Sequence, residues 1–326
     1  ELTFFRGTNP YLSATWDAEY GLFREGEPSD RLPKPFLGYM EVGRVTESRS
    51  DALQEGDIVA STYGHKSGHT LNPEHEFYVK VPPEVDPVLG IYLAQMGPIC
   101  ANGLLHAAHD LHGSQVQTLA DGVRDARVLV TGGGAIGLLT GLFARHLGAA
   151  EVVLASSSSE RLEAAAALSL TPLDARREDP ALVLKRKWHS GDGRGADVAF
   201  QTSTDAQSLN TALRALKPQG TVIDLAFYQG GAGAVQLGKA FHHNSLSLRC
   251  AQIGRVPRGL SHLWDRRRLA LATLDLFQAH GDLVKENLIT NIIPFDKGPE
   301  YLKYLSECYR PEVIQAVFQV GANSAS

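Results

Sequence analysis

The feature that most constrains this chain is a glycine-rich loop between an apolar strand and an alanine-rich helix. The strand-type run at 128–131 leads into a Gly-x-Gly-x-x-Gly motif formed by Gly132, Gly134 and Gly137. An alanine-rich helical segment and a second apolar strand, Glu151–Ala155, follow directly. A strand, a tight turn, a helix and another strand in this order predict a βαβ unit with parallel strands.

This loop has the composition of a phosphate-binding turn. The first glycine permits the tight turn, the second lets the backbone approach a pyrophosphate, and the third lets the helix pack against the strand. The start of the helix then offers unpaired N–H groups and the positive end of its dipole to an anion. We therefore expect a dinucleotide site; the alternative is a glycine-rich turn in another α/β protein. The loop residues expected to contact the dinucleotide are Gly132, Gly134, Ala135, Ile136 and Gly137.

Length and composition narrow the class of protein further. The chain has 326 residues, of which 43% are apolar, enough for two compact domains. A net charge of −5 and an isoelectric point near 6.2 argue against nucleic acid or an anionic membrane as a partner. Three cysteines without a Cys-x-x-Cys pair argue against a disulfide framework and a four-cysteine zinc lobe. Because the chain has no signal-like start and no run of membrane-spanning length, we expect a soluble, cytoplasmic protein.

The rest of the chain divides into three regions. Residues 1 to about 87 are rich in turn formers and short apolar runs, which predicts β structure. Residues 87–111 are helical in composition, with an expected interruption at Gly97-Pro98. Beyond the glycine loop the predicted elements are a helix at 160–168, a strand at 197–201, a helix at 206–216 and strands at 221–227 and 246–253. The tail, with helices at 263–279 and 297–305 and strands at 288–293 and 313–320, is expected to fold back onto the N-terminal region.

This arrangement resembles the medium-chain dehydrogenase/reductase superfamily. The resemblance is carried by Gly-Tyr-Met-Glu-Val-Gly-Arg-Val at 38–45, Glu-Gly-Asp-Ile-Val at 55–59, the glycine loop and Leu-Lys-Pro-Gln-Gly-Thr-Val at 216–222. It implies an α/β fold in which a Rossmann doubly wound parallel sheet, residues 88–254, is inserted in a β-rich GroES-like catalytic domain, residues 1–87 and 255–326. Family members usually begin with further strands, so the resemblance implies either that residues are missing before Glu1 or that the opening of this chain differs. It also implies that the protein is a homodimer.

Within the superfamily the chain looks closest to zinc-independent branches that include bacteriochlorophyllide dehydrogenase-like proteins. The pointers are the segments at 96–103, 241–244 and 254–255. Where the zinc enzymes carry Gly-His-Glu, this chain has Gly38-Tyr39-Met40, and a phenol and a thioether are not normal zinc ligands. A later cysteine ligand of the family falls at Pro98, with Cys100 two positions away. We therefore expect no catalytic zinc.

The end of the second strand of the nucleotide domain indicates which dinucleotide is preferred. An NAD-specific site usually has Asp or Glu there, about 20 residues past the loop, whereas this chain has Ser156, Ser157 and, nearby, Arg161. Hydroxyls and a guanidinium suit a 2′-phosphate, so we expect NADP(H) in preference to NAD(H). The alternative is a flexible serine turn that accepts NAD as well. Further cofactor contacts are expected at the ends of later strands, from Thr202, Ser203, Phe227 and Tyr228.

Without zinc, a side chain must stabilise the alkoxide and exchange its proton. Tyr39, in the position of a metal ligand, is the first candidate for the proton donor. A loop that carries His65, Lys66 and His69 supplies cations and imidazoles. Asn102 is expected beside the nicotinamide, by the same resemblance. Each has a structural alternative: cavity filling for Tyr39, a solvated or substrate-capping loop for the histidines and Lys66, and a helix-end cap for Asn102.

Two further readings concern metal and thiol chemistry. His65 and His69, with His75 and Glu76 beyond, are an alternative, relocated metal site, although the glycines between them favour a loop. Cys100 is expected to be a small buried residue and not a nucleophile.

The sequence thus predicts a zinc-independent, NADP(H)-dependent oxidoreductase that interconverts an alcohol and a ketone or aldehyde on a small organic substrate. An enoyl or quinone reductase, which reduces a conjugated double bond, is the nearest alternative. A nucleotide-binding protein without turnover is an alternative from a different class.

Overall fold

The N-terminal region forms short antiparallel β structures, as its turn residues predict. The computed structural model describes residues 2–26, 28, 37–191, 193–228 and 230–321. The elements of this region are α1 (Leu2–Phe5), β1 (Ala14–Asp17), β2 (Leu22–Glu25), β3 (Glu41–Arg44), β4 (Ile58–Ser61) and β5 (Val79–Val81). Strands β1 and β2 pair as a hairpin, and a separate antiparallel sheet has the order β3-β4-β5.

The middle of the chain forms an alternating α/β layer. Its elements are α2 (Gly90–Leu93), α3 (Met96–His112), β6 (Arg127–Thr131), α4 (Ala135–His146), β7 (Glu151–Ser156), α5 (Ser159–Ala167), β8 (Thr171–Asp174), α6 (Pro180–Lys187), β9 (His189–Ser190), β10 (Gly193–Arg194), β11 (Ala196–Gln201), α7 (Ala206–Ala215), β12 (Leu216–Asp224) and β13 (Ser247–Cys250). Six strands form one parallel sheet in the order β13-β12-β11-β6-β7-β8. The order reverses direction between β6 and β11, so this is the predicted doubly wound fold and it opens a crevice beside the glycine loop.

Both faces of this parallel sheet are covered, which explains the continuous apolar runs of its strands. In β6, Val128 and Val130 belong to one buried cluster while Leu129, between them, belongs to the cluster on the other face. In β7, Val153 and Leu154 divide between the two clusters in the same way. Because successive side chains point to opposite faces, a strand buried on both sides must be apolar at every position.

The tail returns to the N-terminal region, which confirms that prediction. Its elements are α8 (Arg266–Leu288), β14 (Ile289–Pro294), α9 (Gly298–Glu307) and β15 (Gln315–Gln319). Strands β14 and β15 pair in parallel. The guanidinium of Arg6 donates to the carbonyl of Ser306 at 3.3 Å, and Lys285 forms an ion pair of 2.6 Å with Asp86. The six-stranded sheet lies within residues 88–254, the range predicted for the nucleotide-binding domain. The exact domain boundaries, at 87–88 and 254–255, stay predictions.

The structure corrects three details of the predicted elements. The helix break falls at Ala94-Gln95 and not at Gly97-Pro98, since α3 begins at Met96 and a proline in the first helical turn lacks only an N–H that would be unpaired anyway. The strand predicted at 221–227 instead spans Leu216–Asp224. Strand β8 and helix α6 were not predicted, because their short or charged segments show little periodicity.

Among the described residues, no single helix is both long enough and apolar enough to cross a membrane. The bent pair Pro87–Leu93 and Met96–Gln115 passes that test only when the two parts are taken together.

An ionic cluster at the amino ends of three strands fixes the sheet. The carboxylate of Asp197 accepts hydrogen bonds from the backbone N–H of Arg127 at 2.7 Å and from its Nε at 3.1 Å, and Lys217 Nζ lies 3.0 Å from Oδ1. Burial acts to raise the pKa of Asp197, but the bonds from Arg127 and Lys217 prevail, and the pKa lies below its ordinary value. The carboxylate therefore joins β6, β11 and the start of β12.

We expect Asp197→Asn to lower the free energy of unfolding by about 1–3 kcal/mol at pH 7. Because the folded pKa of Asp197 is depressed, its contribution is present above the unfolded pKa of about 3.9 and is lost as the pH falls through the folded value. Urea unfolding at pH 7, 5 and 4 checks this, with the exposed Asp51→Asn as the control. A difference between variant and wild type that does not narrow toward acid pH would contradict the assignment.

Candidate active site

The glycine loop is held by contacts that leave no room for a side chain. Gly132 has a φ of +104°, which favours glycine, and a Cβ on it would lie 2.8 Å from the backbone N of Ser203. A Cβ on Gly137 would lie 1.9 Å from the carbonyl oxygen of Gly132. Helix α4 therefore packs directly on the turn that precedes it, as the third glycine predicts.

The first turn of α4 has the features of an anion-binding site. Its N-cap is Gly134, which is extended, and no side chain among the described residues caps it. The backbone N–H groups at the start of the helix, those of Ala135 and Ile136 among them, therefore lack an intrahelical acceptor. Together with the helix dipole they suit a pyrophosphate.

The ends of β6, β11 and β12 are joined beneath this loop. Thr202 Oγ1 donates to the carbonyl oxygens of Thr131 at 2.9 Å and Gly132 at 3.1 Å. The side-chain amide of Gln201 donates to the hydroxyl of Tyr228 at 3.3 Å, and that hydroxyl donates to the carboxylate of Asp224 at 3.1 Å. Thr202 and Tyr228 therefore support the loop, and their predicted cofactor contacts stay predictions.

Burial shapes the acid–base properties of this edge. It raises the pKa of Asp224 above its ordinary value, and it raises that of Tyr228 as well. Phe227, in contrast, exposes 49% of its surface beside the crevice. A half-exposed aromatic at the carboxyl edge of a doubly wound sheet is well placed to contact a bound ligand.

The end of β7 gathers the residues predicted to choose between the two dinucleotides. Ser156 is buried, and its Oγ accepts the backbone N–H of Ser158 at 3.2 Å. A Cβ on Gly133 would lie 3.1 Å from Ser156 Oγ and 2.8 Å from Arg161 Cβ. Ser157 is exposed next to them. The hydroxyl of Ser156 and the Arg161 side chain therefore flank the glycine loop on the same side.

The position of Arg161 is fixed from two directions. Its Nε donates to the carbonyl of Pro311 at 3.3 Å, and its guanidinium lies over the Tyr309 ring, 5.1 Å from the centroid. Its Nη1 would lie 3.7 Å from a Cβ on Gly134. A cation is thus held beside the phosphate-binding turn by a segment of the tail.

The nearest carboxylate on the neighbouring strand β8 forms an ion pair within the same strand end. Asp174 is the register partner of Ser156, and Arg176 binds it through two hydrogen bonds of 3.0 and 2.8 Å. These bonds hold the pKa of Asp174 down at about 2, and Arg177 lies 3.4 Å away. The other acid, Glu160, accepts the hydroxyls of Ser158 and Ser159. This corner of the crevice is therefore rich in cations and hydroxyls.

The second part of the site lies on the turn before β3 and the loop after β4. Gly38 has a φ of +98°, and a Cβ on it would lie 2.6 Å from Cε1 of His65. The backbone N–H of His65 donates to the carbonyl of Leu37 at 2.6 Å, and Phe318 packs edge-on against its ring at 5.3 Å. Tyr39, next in the chain, is 41% exposed. The structure thus places the His65 ring against Gly38, the residue that precedes Tyr39 in the chain.

Glu41 is a residue of this site that the sequence analysis missed. It is the first residue of β3, is only 8% exposed, and accepts the backbone N–H of Tyr63 at 3.0 Å through Oε2. Its Oε1 lies 3.8 Å from Nδ1 of His65. Burial raises its pKa, while the N–H groups of the loop and the charge of His65 act in the opposite direction. An acidic residue at an inward-facing strand position, beside the Gly38-Tyr39-Met40 turn, is the signal that could have found it.

His69 and Lys66 lie further along the same loop. The His69 ring stacks on Tyr63 with centroids 4.5 Å apart, and its Nε2 lies 2.8 Å from Oε2 of Glu76. Glu76 also accepts the backbone N–H of Asn72 at 2.7 Å, which closes the loop. Lys66 adds its charge near Glu76. These contacts give His69 a part in shaping the loop, and its catalytic role, like that of Lys66, stays a prediction.

The side chains around Tyr39 bear on the predicted absence of zinc, which stays a prediction. Gly38-Tyr39-Met40 offers a phenol and a thioether, and the carboxylate of Glu41 is turned to the Tyr63 N–H and His65. Cys100 is buried, as predicted; its Sγ lies 3.5 Å from the Ile136 carbonyl, and burial raises its pKa to about 12. In the part of the chain that the structure describes, no three His, Cys, Asp or Glu side chains converge as a metal site would require. This holds for the alternative set around His65 and His69 as well.

Asn102 lies in the interior of α3 and is fully buried, so it is not a helix-end cap. Its side-chain amide donates to the carbonyls of Ala251, Gln252 and Arg255 at 3.4, 3.3 and 3.2 Å. It therefore ties α3 to the segment that follows β13. Its predicted place beside the nicotinamide is not tested by these contacts.

One stretch of the tail connects the two parts of the site. Tyr309 and Pro311 hold Arg161, and Phe318 on β15 packs against His65. The cationic corner and the histidine loop are thus held by residues fewer than ten positions apart. This relation between distant sequence positions has no local sequence signal.

Comparisons with known proteins support this architecture. The sequence profile of a family described as zinc-binding dehydrogenase matches residues 135–265. The D-guloside 3-dehydrogenase of Shigella flexneri is 27% identical over 328 residues, covering 94% of this chain and 85% of that protein. The protein named "Probable D-xylulose reductase A" of Arthroderma otae is 32% identical over 219 residues, covering 60% of this chain and 59% of that protein. The alcohol dehydrogenase TADH from Thermus sp. ATN1 has a TM-score of 0.67 at 20% identity, over 87% of this chain and 84% of that chain.

These findings confirm the predicted fold and the predicted class of protein. The matching profile begins at α4 and ends just before α8, so it covers most of the nucleotide-binding part and none of the Tyr39 region. Its name therefore carries no information about the donor atoms beside Tyr39. The zinc-independent branch and the bacteriochlorophyllide dehydrogenase-like membership stay predictions.

We expect Gly38→Ala to lower turnover by about 10-fold or more, since misplacement of a catalytic group by about 1 Å can cost roughly 100-fold. The new Cβ would displace the His65 ring. Steady-state kinetics and nucleotide binding, measured on the same preparation, check this.

The matched control is Gly56→Ala, at a φ of +92° with no atom within 4 Å of the new Cβ. It imposes similar backbone strain without touching His65. Equal losses of activity in the two variants would show that strain alone, and not the position of His65, is responsible.

Proposed function

Because the chain is a dehydrogenase/reductase of the medium-chain type, we propose that it interconverts an alcohol and a ketone on a sugar or polyol, with NADP(H) and without zinc. The observation that carries the proposal is the pairing of the His65 imidazole with the buried Glu41 carboxylate, beside Tyr39, where zinc enzymes of the superfamily bind their metal. This pair offers an organic proton acceptor in place of a metal-bound one.

The glycine loop and its neighbours would hold the nucleotide. The N–H groups at the start of α4 would bind the pyrophosphate, and Gly132 and Gly137 would let the backbone approach it. Ser156 and Arg161 flank the same loop and would bind the 2′-phosphate. When bound, the oxidised cofactor accepts the hydride from the carbinol carbon, and the reduced cofactor returns it.

The side chains of this chain must handle the proton that accompanies the hydride. Imidazole is the side chain that most often acts as a general acid or base, and His65 lies next to the buried Glu41 carboxylate, so it is better suited than Tyr39 to exchange this proton. Tyr39 is exposed beside it and can hydrogen-bond to the substrate oxygen as the charge on that oxygen changes. We assign proton exchange to His65 and orientation of the substrate oxygen to Tyr39.

The substrate class rests on the relatives. One relative is named as a dehydrogenase at carbon 3 of D-gulosides, and another as a D-xylulose reductase. Both names describe the interconversion of a secondary alcohol and a ketone on a polyhydroxylated compound. A secondary hydroxyl of a glycoside or a polyol is therefore the substrate that we propose.

The choice of cofactor yields a direct prediction. NADPH should bind more tightly than NADH, and Ser156→Asp should reverse this preference, because a carboxylate repels the 2′-phosphate and accepts the free 2′-hydroxyl. Titration of both reduced cofactors by fluorescence measures it. Ser169→Asp, which adds the same charge at the other end of α5, is the control, and an unchanged preference in Ser156→Asp would refute the assignment.

The proposed reaction yields a second prediction. The purified protein should oxidise secondary hydroxyls of glycosides or polyols with NADP⁺. Treatment with a zinc chelator should change the rate of this oxidation by less than about twofold. Metal analysis and a matched panel of ketoses and conjugated enones check this. Stoichiometric zinc with loss of activity on chelation would overturn zinc independence, and reduction of the enones alone would favour the enoyl or quinone reductase.

A further inference from the structure

The buried carboxylate of Glu41 has a cost that its hydrogen bonds only partly offset. Removal of an ionised group from water costs several kcal/mol unless it is paired. Oε2 accepts the Tyr63 N–H, but Oε1 is buried and has no hydrogen-bond partner among the described residues. A neutral residue of the same shape would satisfy the strand equally well, so the carboxylate calls for another explanation.

Oε1 faces the ring of His65. Nδ1 of His65 lies 3.8 Å from it, an ion-pair distance and longer than a hydrogen bond. The ring is confined by the Cα of Gly38 on one side and by Phe318 on another. Hydrogen bonds between catalytic groups are often long without substrate and shorten in the complex.

We propose that Glu41 is a positioning residue that holds His65 as its Nδ1–H tautomer and leaves Nε2 to exchange the proton of the substrate hydroxyl. This rests on the proposed function. In the oxidation, the O–H bond of the substrate breaks and its proton passes to Nε2. The C–H bond of the carbinol carbon would break as well, and the bound nicotinamide cofactor would take up the hydride with both electrons. The products would be a ketone, the reduced cofactor and a His65 imidazolium that faces the Glu41 carboxylate.

A carboxylate behind an imidazole does two things for such a reaction. It fixes which nitrogen carries the proton, and it stabilises the imidazolium once that forms. The other charged or titratable groups on the elements packed around His65 are Tyr39 on the turn before β3 and seven residues of its own loop: Tyr63, Lys66, His69, Glu74, His75, Glu76 and Tyr78. Strand β15 contributes the apolar Phe318. Of the three carboxylates, Glu41 is the buried one, and its Oε1 lies 3.8 Å from Nδ1 of His65.

The test replaces Glu41 by Gln, which keeps the shape and the bond from Tyr63 but removes the charge. We expect kcat to fall by roughly 10- to 100-fold while KM changes little, because positioning acts on the proton transfer and not on substrate binding. The acidic limb of the pH–rate profile should move to lower pH, since a carboxylate favours the protonated ring and its removal lets the ring lose its proton more easily. Glu41→Asp should recover part of kcat, and unchanged nucleotide binding shows that the variants are folded.

The matched control is Glu47→Gln, which removes an exposed carboxylate paired with Arg49 just beyond the same strand. It should leave kcat and the pH–rate profile as they are. A fall in stability without any change in the pH–rate profile of Glu41→Gln would show that the carboxylate is only structural, and would overturn the proposal.

A measurement without substrate separates this proposal from the proposed function. Nitrogen NMR of the His65 ring reports which nitrogen carries the proton, and Glu41→Gln should shift the ring away from the Nδ1–H form. An identical ring spectrum in wild type and variant would overturn the Glu41–His65 link. If the spectrum changes as expected while the wild type oxidises no glycoside or polyol, the link stands and the substrate proposal fails.

Discussion

The contact between Gly137 and the carbonyl of Gly132 is the constraint on which the rest of the nucleotide-binding part depends. Because no side chain separates them, α4 begins directly above the turn that ends β6, and its free N–H groups face the crevice. Thr202 then reaches the carbonyls of both Thr131 and Gly132. The end of β11 is thereby joined to the same turn, and Gln201 and Tyr228 extend the link to β12. One close approach of backbone to backbone thus sets the geometry of three strand ends.

The same physical device recurs in the other half of the site. Gly38 has a left-handed backbone conformation and lies so close to His65 that a Cβ would overlap the ring. There the missing side chain makes room for an imidazole instead of a helix. Gly137 contacts a backbone carbonyl and Gly38 contacts an imidazole ring, and in both cases the contact is possible only because the glycine has no Cβ. Both halves of the site are therefore positioned by backbone geometry, which is more rigid than a side-chain contact.

The family profile matches one part of the molecule, and the proposed proton-exchange site lies in another. The profile described as zinc-binding dehydrogenase covers residues 135–265, from the start of α4 to the residue before α8. The turn at Gly38-Tyr39-Met40 lies outside that range, and its donor atoms suit proton exchange better than zinc. Conservation of a scaffold therefore does not fix the group that performs the chemistry on it. Beside that turn, the buried Glu41 carboxylate lies 3.8 Å from the His65 imidazole, and the proposal of zinc independence rests on this contact.

The sequence alone determined the doubly wound sheet, its glycine loop and the return of the tail, because apolar periodicity and glycine spacing are local properties. It also predicted site roles for Tyr39, His65, Ser156 and Arg161, and these roles stay predictions. It missed β8 and α6, whose short segments show little periodicity. It also missed Glu41, whose inward-facing position on a strand is a weak signal, because strand alternation alone does not show which residue the carboxylate contacts. Only the tertiary structure turned Glu41 toward His65, and it alone brought Pro311 and Tyr309 to Arg161. These contacts join residues that are distant in the chain, and such pairs are decided by packing and not by any local pattern.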